Sequence, residues 1–152
     1  MILKAFPIDF MKIDSRKTLP RLISSLNYNI DKKQEKVDYV SSNEFVGKVF
    51  ENGFTIRKKI YSVNSFVPIL HGRFKESSNG IHVQIFLCPH ILVSVSMMFL
   101  FPFFFIIFAG QFREGQLELN EPLLLLFIYI IITASFRFEA AKAKRAVMRI
   151  LK

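Results

Sequence analysis

Two long apolar segments constrain this chain more than any other feature. Residues 91–109 read ILVSVSMMFLFPFFFIIFA, nineteen residues without a charge. A helix of that length extends about 28 Å, close to the thickness of a bilayer's hydrocarbon core. Residues 122–136 form a shorter apolar segment, but Arg137 can extend its guanidinium to the headgroups and lengthen the usable span. The sequence therefore predicts two membrane-spanning helices, over about residues 89–109 and 120–138.

A buried helix of a soluble domain is the alternative interpretation of the first segment. The chain has only 152 residues, 18 of them Phe, and the part before the segment is too small to cover every face of so aromatic a helix. We therefore favour a membrane span. Pro102 lies inside it, where proline removes one backbone hydrogen bond and collides with the carbonyl four residues back, which predicts a kink near mid-membrane.

Positive charge lies on both outer sides of the apolar region. The net charge is +9. Residues 110–121, between the two spans, carry one cation and three carboxylates, whereas residues 137–152 carry six cations and one carboxylate. Because flanks rich in Lys and Arg stay in the cytoplasm, we expect a multi-pass protein of the bacterial inner membrane with both termini cytoplasmic. The expected surroundings are the bilayer and its anionic phospholipid headgroups, and nucleic acid is not an expected partner.

The part before the membrane has the pattern of an antiparallel sheet. Asn52-Gly53 and Asn79-Gly80 each lie between strand-like runs, and both residue types tolerate the positive φ angles of hairpin turns. Residues 18–26 read as a short helix with Thr18 as N-cap and an apolar stripe that can cover the sheet. One more strand is expected upstream. The polar residues 29–44 read as a connector.

The predicted fold class is an α+β membrane protein. An antiparallel β-rich head with one short helix (residues 1–88), in the order β-α-β-β-β-β, is followed by a transmembrane hairpin (residues 89–138). In the hairpin, Gly110 and Gly115 break the chain between the two helices. Residues 139–152 form a basic amphipathic helix, which either continues the second span or lies on the membrane surface.

Three runs resemble known proteins: FVGKV at residues 45–49, FTIRKKIY at residues 54–61 and NSFVPILHG at residues 64–72. With the strand, the Pro-His pair and the apolar hairpin that follow, they resemble small bacterial two-helix membrane proteins with an N-terminal β-rich cytoplasmic head. The resemblance covers most of the chain and implies this architecture and the inner membrane, but no functional residues. The chain is less similar to bacterial membrane proteins with pleckstrin-homology-like heads, in which the helices often precede the strands.

No pattern of catalytic or metal-binding residues stands out in the sequence. The three His are far apart, no second thiol accompanies Cys88, and phosphate-loop, nucleophile-elbow and zinc-helix motifs are absent. The spans hold no Asp, Glu, Lys or Arg inside their apolar cores, which argues against a pump or transporter. We expect neither a cofactor nor an enzymatic activity.

Basic side chains are the only candidate contacts for a ligand. Because side chains alternate along a strand, Arg57 and Lys59 share one face and Lys58 lies on the other. The alternative to a ligand site is that these cations form an ordinary solvated sheet face. The candidate contacts for an anionic headgroup or ligand are Arg57, Lys58, Lys59, Arg73 and Lys75. The candidate interfacial anchors are His90, Arg137, Lys142, Lys144 and Arg145.

These features favour a non-enzymatic membrane-anchored interaction protein. Its head would bind a protein partner or ligand at the membrane, with a second copy or another membrane protein as the expected partner. One alternative is a membrane-disrupting effector, pore-forming or oligomerising, such as a phage-defence protein. Another is a regulator that binds anionic lipid through the cations around Arg57.

Overall fold

The computed structural model describes residues 6–31, 43–60, 64–78, 80–114 and 120–151. A β-rich head precedes two long apolar helices, which confirms the predicted fold class. The elements in chain order are β1 (Asp9–Ser15), α1 (Leu19–Asn29), β2 (Ile30–Asp31), β3 (Phe45–Phe50), β4 (Gly53–Lys58), β5 (Ile69–Ser77), β6 (Gly80–Cys88), α2 (Ile91–Glu114) and α3 (Asn120–Leu151). Most of the predicted connector over residues 29–44 lies outside the described residues.

The head is built on one six-stranded sheet in the order β1-β6-β5-β4-β3-β2. Both predicted hairpins are confirmed, since β3 pairs with β4 and β5 with β6 in antiparallel register. The expected positive-φ turn at Asn52-Gly53 was wrong, because Gly53 already belongs to β4, where it pairs with Phe50, and neither Asn52 nor Gly53 has a positive φ. The short β2 was not predicted; it pairs in parallel with β3. Because β1 pairs with the last strand, β1 and β2 form opposite edges of the sheet. Helix α1, which joins them in sequence, therefore crosses from one edge to the other.

Helix α1 begins at the predicted position. Thr18 is the N-cap residue in an extended conformation, with Pro20 in the first turn, where its missing N–H leaves no hydrogen bond unmade. The Thr18 side chain makes no capping hydrogen bond, but its carbonyl accepts the first helical bond from the Leu22 N–H at 2.9 Å. Leu22 and Leu26 are fully buried. The predicted apolar stripe therefore does cover the sheet.

The end of α3 is part of the head's core. The helix is continuous from Asn120 to Leu151, so the basic tail continues the second span. The spacing of three or four residues between its buried side chains places them on one helix face, and its alanines leave room for close packing. The α3 residues buried in the same core as α1 and the sheet are Phe136, Ala140, Ala143, Ala146, Val147 and Leu151.

Side chains from β1 and α1 hold the carboxyl end of α3. The Ser15 hydroxyl donates to the Leu151 carbonyl at 2.8 Å, and the Lys17 ammonium donates to the Ile150 carbonyl at 2.9 Å. The last carbonyls of a helix lack partners within the helix and carry partial negative charge. These two contacts satisfy two of those carbonyls and fix the helix end against the head.

Helix α2 differs from its predicted bounds at both ends. It begins at Ile91, two residues after Pro89, because His90 caps it: the His90 Nδ1 accepts the Leu92 N–H at 3.3 Å. The prediction that Gly110 breaks the helix was wrong, since α2 continues to Glu114. One glycine inside a helix lowers helix stability by only about 1 kcal/mol. Ending the helix there would leave backbone N–H and C=O groups unpaired in an apolar environment, which costs more. Helix α2 also continues through Pro102, and the kink stays a prediction.

The two long helices have the length and composition needed to span a membrane. The candidate spans are Ile91–Arg113 and Pro122–Leu151. Most of their apolar side chains are exposed; Phe99 and Phe105, for example, are each 70% exposed. The helices are neighbours, because the rings of Phe101 in α2 and Tyr129 in α3 meet edge to face at 5.5 Å.

Candidate functional site

The two faces of the sheet have different surroundings. One face packs on α1 and the end of α3, whereas none of the described elements buries the other, which we call the open face. The open face consists of alternate residues from β1 to β6, brought side by side by the strand register. Its members are Phe10, Lys12, Asp14, Asp31, Val46, Lys48, Phe50, Thr55, Arg57, Ile69, His71, Arg73, Lys75, His82, Gln84, Phe86 and Cys88.

Aromatic and polar side chains cross the open face in one row. The register pairs Phe10 with Phe86, Phe86 with His71, His71 with Thr55 and Thr55 with Lys48. Phe10 is 50% exposed and Phe86 42%. The Thr55 hydroxyl lies 3.2 Å from the His71 Nδ1. Large apolar surface beside polar groups is typical of a binding surface.

The open face carries more positive than negative charge. Among the described residues its carboxylates are Asp14, which pairs with His82, and Asp31, which lies beside Val46 at the β2 edge and pairs with Lys59. The cations are Lys12, Lys48, Arg57, Arg73 and Lys75. A surface with this balance attracts anionic ligands.

A shallow pocket lies on the open face where the sheet meets the start of α2. Its volume is about 330 Å³, and it is lined by Lys48, Thr55 and Arg57 from β3 and β4, by Ile69 from β5 and by His90 at the start of α2. Gly47 also lines it. A Cβ atom there would lie 2.2 Å from the Thr55 carbonyl oxygen, so glycine is needed for β3 to lie this close to β4.

The cations predicted to contact an anionic ligand lie at different places on the sheet. Arg57 lines the pocket, whereas Lys58 follows it in β4 and points to the covered side of the sheet. Strand β4 ends at Lys58, and the Lys59 N–H donates to the Glu44 carbonyl at 2.8 Å; that Lys59 shares a face with Arg57 stays a prediction. The Lys59 side chain pairs with Asp31, its Nζ 3.2 Å from the Asp31 Oδ2.

Arg73 lies on the open face but does not line the pocket, and Lys75 lies further along the same strand. Sequence reasoning missed Lys48. The alternation of the first predicted hairpin contained the signal, because a tight turn at Asn52-Gly53 would pair Lys48 with Arg57 on one face. In the structure the turn lies one residue earlier and Lys48 pairs with Thr55, still on the face of Arg57.

The predicted interfacial anchors differ in their contacts. His90 lines the pocket and caps α2. Lys142 lies 3.0 Å from a Glu139 oxygen and 4.0 Å from the centre of the Phe138 ring, and Lys144 pairs with Asp9. Arg145 is exposed and Arg137 half-buried. The role of all five as anchors stays a prediction.

Cys88 ends β6 beside the pocket. Its thiol donates to the Ile69 carbonyl at 3.8 Å, and burial raises the pKa of the thiol above its ordinary value, an effect that a backbone hydrogen bond partly offsets. Among the described residues, no group of three or more His, Cys, Asp or Glu side chains is placed to hold a metal ion.

The raised pKa predicts slow alkylation of Cys88. Only the thiolate reacts, so in the folded chain the rate should rise at higher pH than in the unfolded chain. Iodoacetamide labelling of the folded and the detergent-denatured chain between about pH 7 and 10 measures both profiles around the ordinary thiol pKa of about 8.5. Since this is the only cysteine, the labelled mass is unambiguous. Coinciding profiles would contradict the prediction.

Comparison with known protein families, curated proteins and solved structures finds no match to this chain.

Proposed function

We propose that this chain is a non-enzymatic binding protein of the bacterial inner membrane, of the small two-helix type with a cytoplasmic β-rich head. The hairpin of α2 and α3 anchors the head, and the open face binds an anionic partner or ligand at the cytoplasmic surface. The observation that carries the proposal is the open face itself: five cations and exposed aromatic rings on a sheet whose other face is covered. Aromatic residues and Arg are enriched at binding interfaces, and complementary charge steers a partner to the surface.

The continuous helix α3 supports the proposed anchoring. It extends 32 residues, about 48 Å at 1.5 Å per residue, which exceeds the thickness of the hydrocarbon core. Its first half is apolar and largely exposed, and one side of its second half is buried in the head. One rigid element therefore joins the membrane to the sheet and limits how the open face can turn relative to the bilayer.

Cysteine labelling in intact cells tests the proposed orientation. In a Cys88→Ser background, Ser77→Cys places a thiol at the exposed end of β5 and Phe112→Cys places one near the far end of α2, where Phe112 is 70% exposed. A membrane-impermeant maleimide should label Phe112→Cys and spare Ser77→Cys until the cells are opened. The reverse pattern would place the head outside the cytoplasm and overturn the proposal.

Site-specific photo-crosslinking tests binding by the open face. A photoreactive amino acid at Arg73, on the open face, should yield a discrete crosslinked product in living cells, whereas one at Arg21, exposed on α1, should not. Mass spectrometry then identifies what is attached. If neither position captures anything and the purified chain is a bare monomer, the binding role is wrong.

A further inference from the structure

We propose that the pocket between β3, β4 and His90 binds the phosphate of an anionic phospholipid in the leaflet next to the head. The proposal rests on the proposed function, because the pocket meets headgroups only if α2 spans the bilayer. It goes further by assigning one site, one ligand class and the side chains that make contact.

The pocket lies at the depth of the lipid phosphates. His90, one of its lining residues, directly precedes Ile91, the first residue of the candidate span Ile91–Arg113. The headgroup layer begins where the hydrocarbon core ends and is about 5 to 8 Å thick on each side. A group that borders the first turn of the span is therefore within reach of lipid phosphates. Arg73 lies four residues further along its strand than Ile69, about 13 Å away, and is beyond that layer.

Two cations converge on the pocket. Lys48 is directly opposite Thr55, and Arg57 lies two residues further along β4, so the backbones of the two cations are about 7 to 8 Å apart on one face. In the described part of the chain neither side chain forms an ion pair with a carboxylate, in contrast to Lys59 with Asp31. Arginine binds phosphate oxygens in pairs and lysine adds a point charge.

His90 adds a hydrogen-bond donor. Its Nδ1 accepts the Leu92 N–H at 3.3 Å, so in the neutral ring the proton is on Nε2. That N–H is left to donate to a phosphate oxygen. The same contact that caps α2 therefore sets the tautomer that suits an anion.

Apolar side chains beside the cations favour a lipid over a free phosphate ion. Val46 and Ile69 line the pocket together with Arg57, and the register places these three in one row across the strands. A free inorganic anion has no group for such a surface. The glycerol and upper acyl carbons of a phospholipid do, because burying them there removes apolar area from water.

Native mass spectrometry of the full chain tests the proposal. The protein in a non-ionic detergent is mixed with equal amounts of phosphatidylglycerol and phosphatidylcholine, and the retained lipids are counted. We expect the wild-type chain to retain more phosphatidylglycerol than phosphatidylcholine. In Lys48→Gln/Arg57→Gln the ratio of the two retained lipids should fall about tenfold, because one charge-assisted hydrogen bond contributes about that factor to binding. The two substituted positions in this variant, and the two in the control variant described next, are exposed. Folding should therefore be unaffected, and a thermal melt of each variant verifies this.

The matched control is Lys12→Gln/Lys75→Gln. It removes the same charge from the same face, outside the pocket lining, and should keep the wild-type preference. Equal losses in both variants would show a general charge effect and overturn the proposal, as would no loss in the pocket variant.

A second arm separates the two sources of phosphate. Glycerophosphoglycerol, the deacylated headgroup that keeps the same phosphodiester, should compete at least about tenfold more weakly than phosphatidylglycerol. Competition at equal concentration would overturn the lipid assignment in favour of a soluble phosphate. Loss of lipid selectivity with intact crosslinking at Arg73 would refute this inference and leave the proposed function standing.

Discussion

Val147→Asp should unfold the head. Val147 is fully buried in the core that α3 shares with α1 and the sheet, and a carboxylate there would have no partner. Leaving a charge unpaired in such a site costs about 3–5 kcal/mol, a large fraction of the stability of an ordinary domain. A thiol-reactive fluorescent dye, which reports on the half-buried Cys88, measures the melting temperature of the full chain in detergent. We expect Val147→Asp to be labelled without heating.

Arg145→Asp is the matched control for this prediction. Arg145 lies two residues away on the same helix and is exposed, so the same new side chain meets water and should change stability by less than about 0.5 kcal/mol. A basic tail lying free on the membrane would instead make Arg145→Asp the more harmful variant. Similar melting curves for Val147→Asp and wild type would contradict the docking of α3 on the sheet.

Phe54→Ala should destabilise the head nearly as strongly. The Phe54 ring is 2% exposed, lies over Gly72, where a Cβ would be 2.3 Å from its ring atoms, and contacts the Phe74 ring at a centroid distance of 5.8 Å. Truncation of a buried Phe to Ala costs about 3–5 kcal/mol because it leaves a cavity. In a chain of this size, that loss lowers the melting temperature by about 10 °C or more. The same dye assay measures it.

Phe50→Ala removes the same atoms from the same hairpin and serves as the control. Phe50 is 53% exposed on the open face, so its loss should lower the melting temperature by about 2 °C or less. Equal effects of the two truncations would show that the covered and open faces have been assigned wrongly.

Local patterns were sufficient for most of the elements of this protein. The uncharged apolar runs predicted α2 and the first half of α3, because length and hydropathy decide what can span a bilayer. The two Asn-Gly pairs predicted both hairpins, and Thr18 with Pro20 predicted the start of α1. Each of these signals depends on residues a few positions apart. The error at Gly110 arose because a weak local preference was weighed without its apolar surroundings, and the short β2 and the start of α2 at Ile91 were not predicted either.

The sites depended on contacts between distant parts of the chain. Strand β1 pairs with β6, far along the chain, and the hydrogen bond from Ser15 to the Leu151 carbonyl joins residues 136 positions apart. The apolar stripe near Val147 is equally suited to a lipid surface or to a protein core. Only the presence of the sheet beside it decides between them.

The sequence by itself determined that this chain has two apolar helices attached to a strand-rich head with excess positive charge. The tertiary structure decided which side of the sheet that charge occupies, that Lys59 is paired with Asp31, and that Lys48, Arg57 and His90 line one pocket. The physical reason is that hydropathy and turn preference act along the chain, whereas a binding site is defined by side chains that strand register and helix packing bring together.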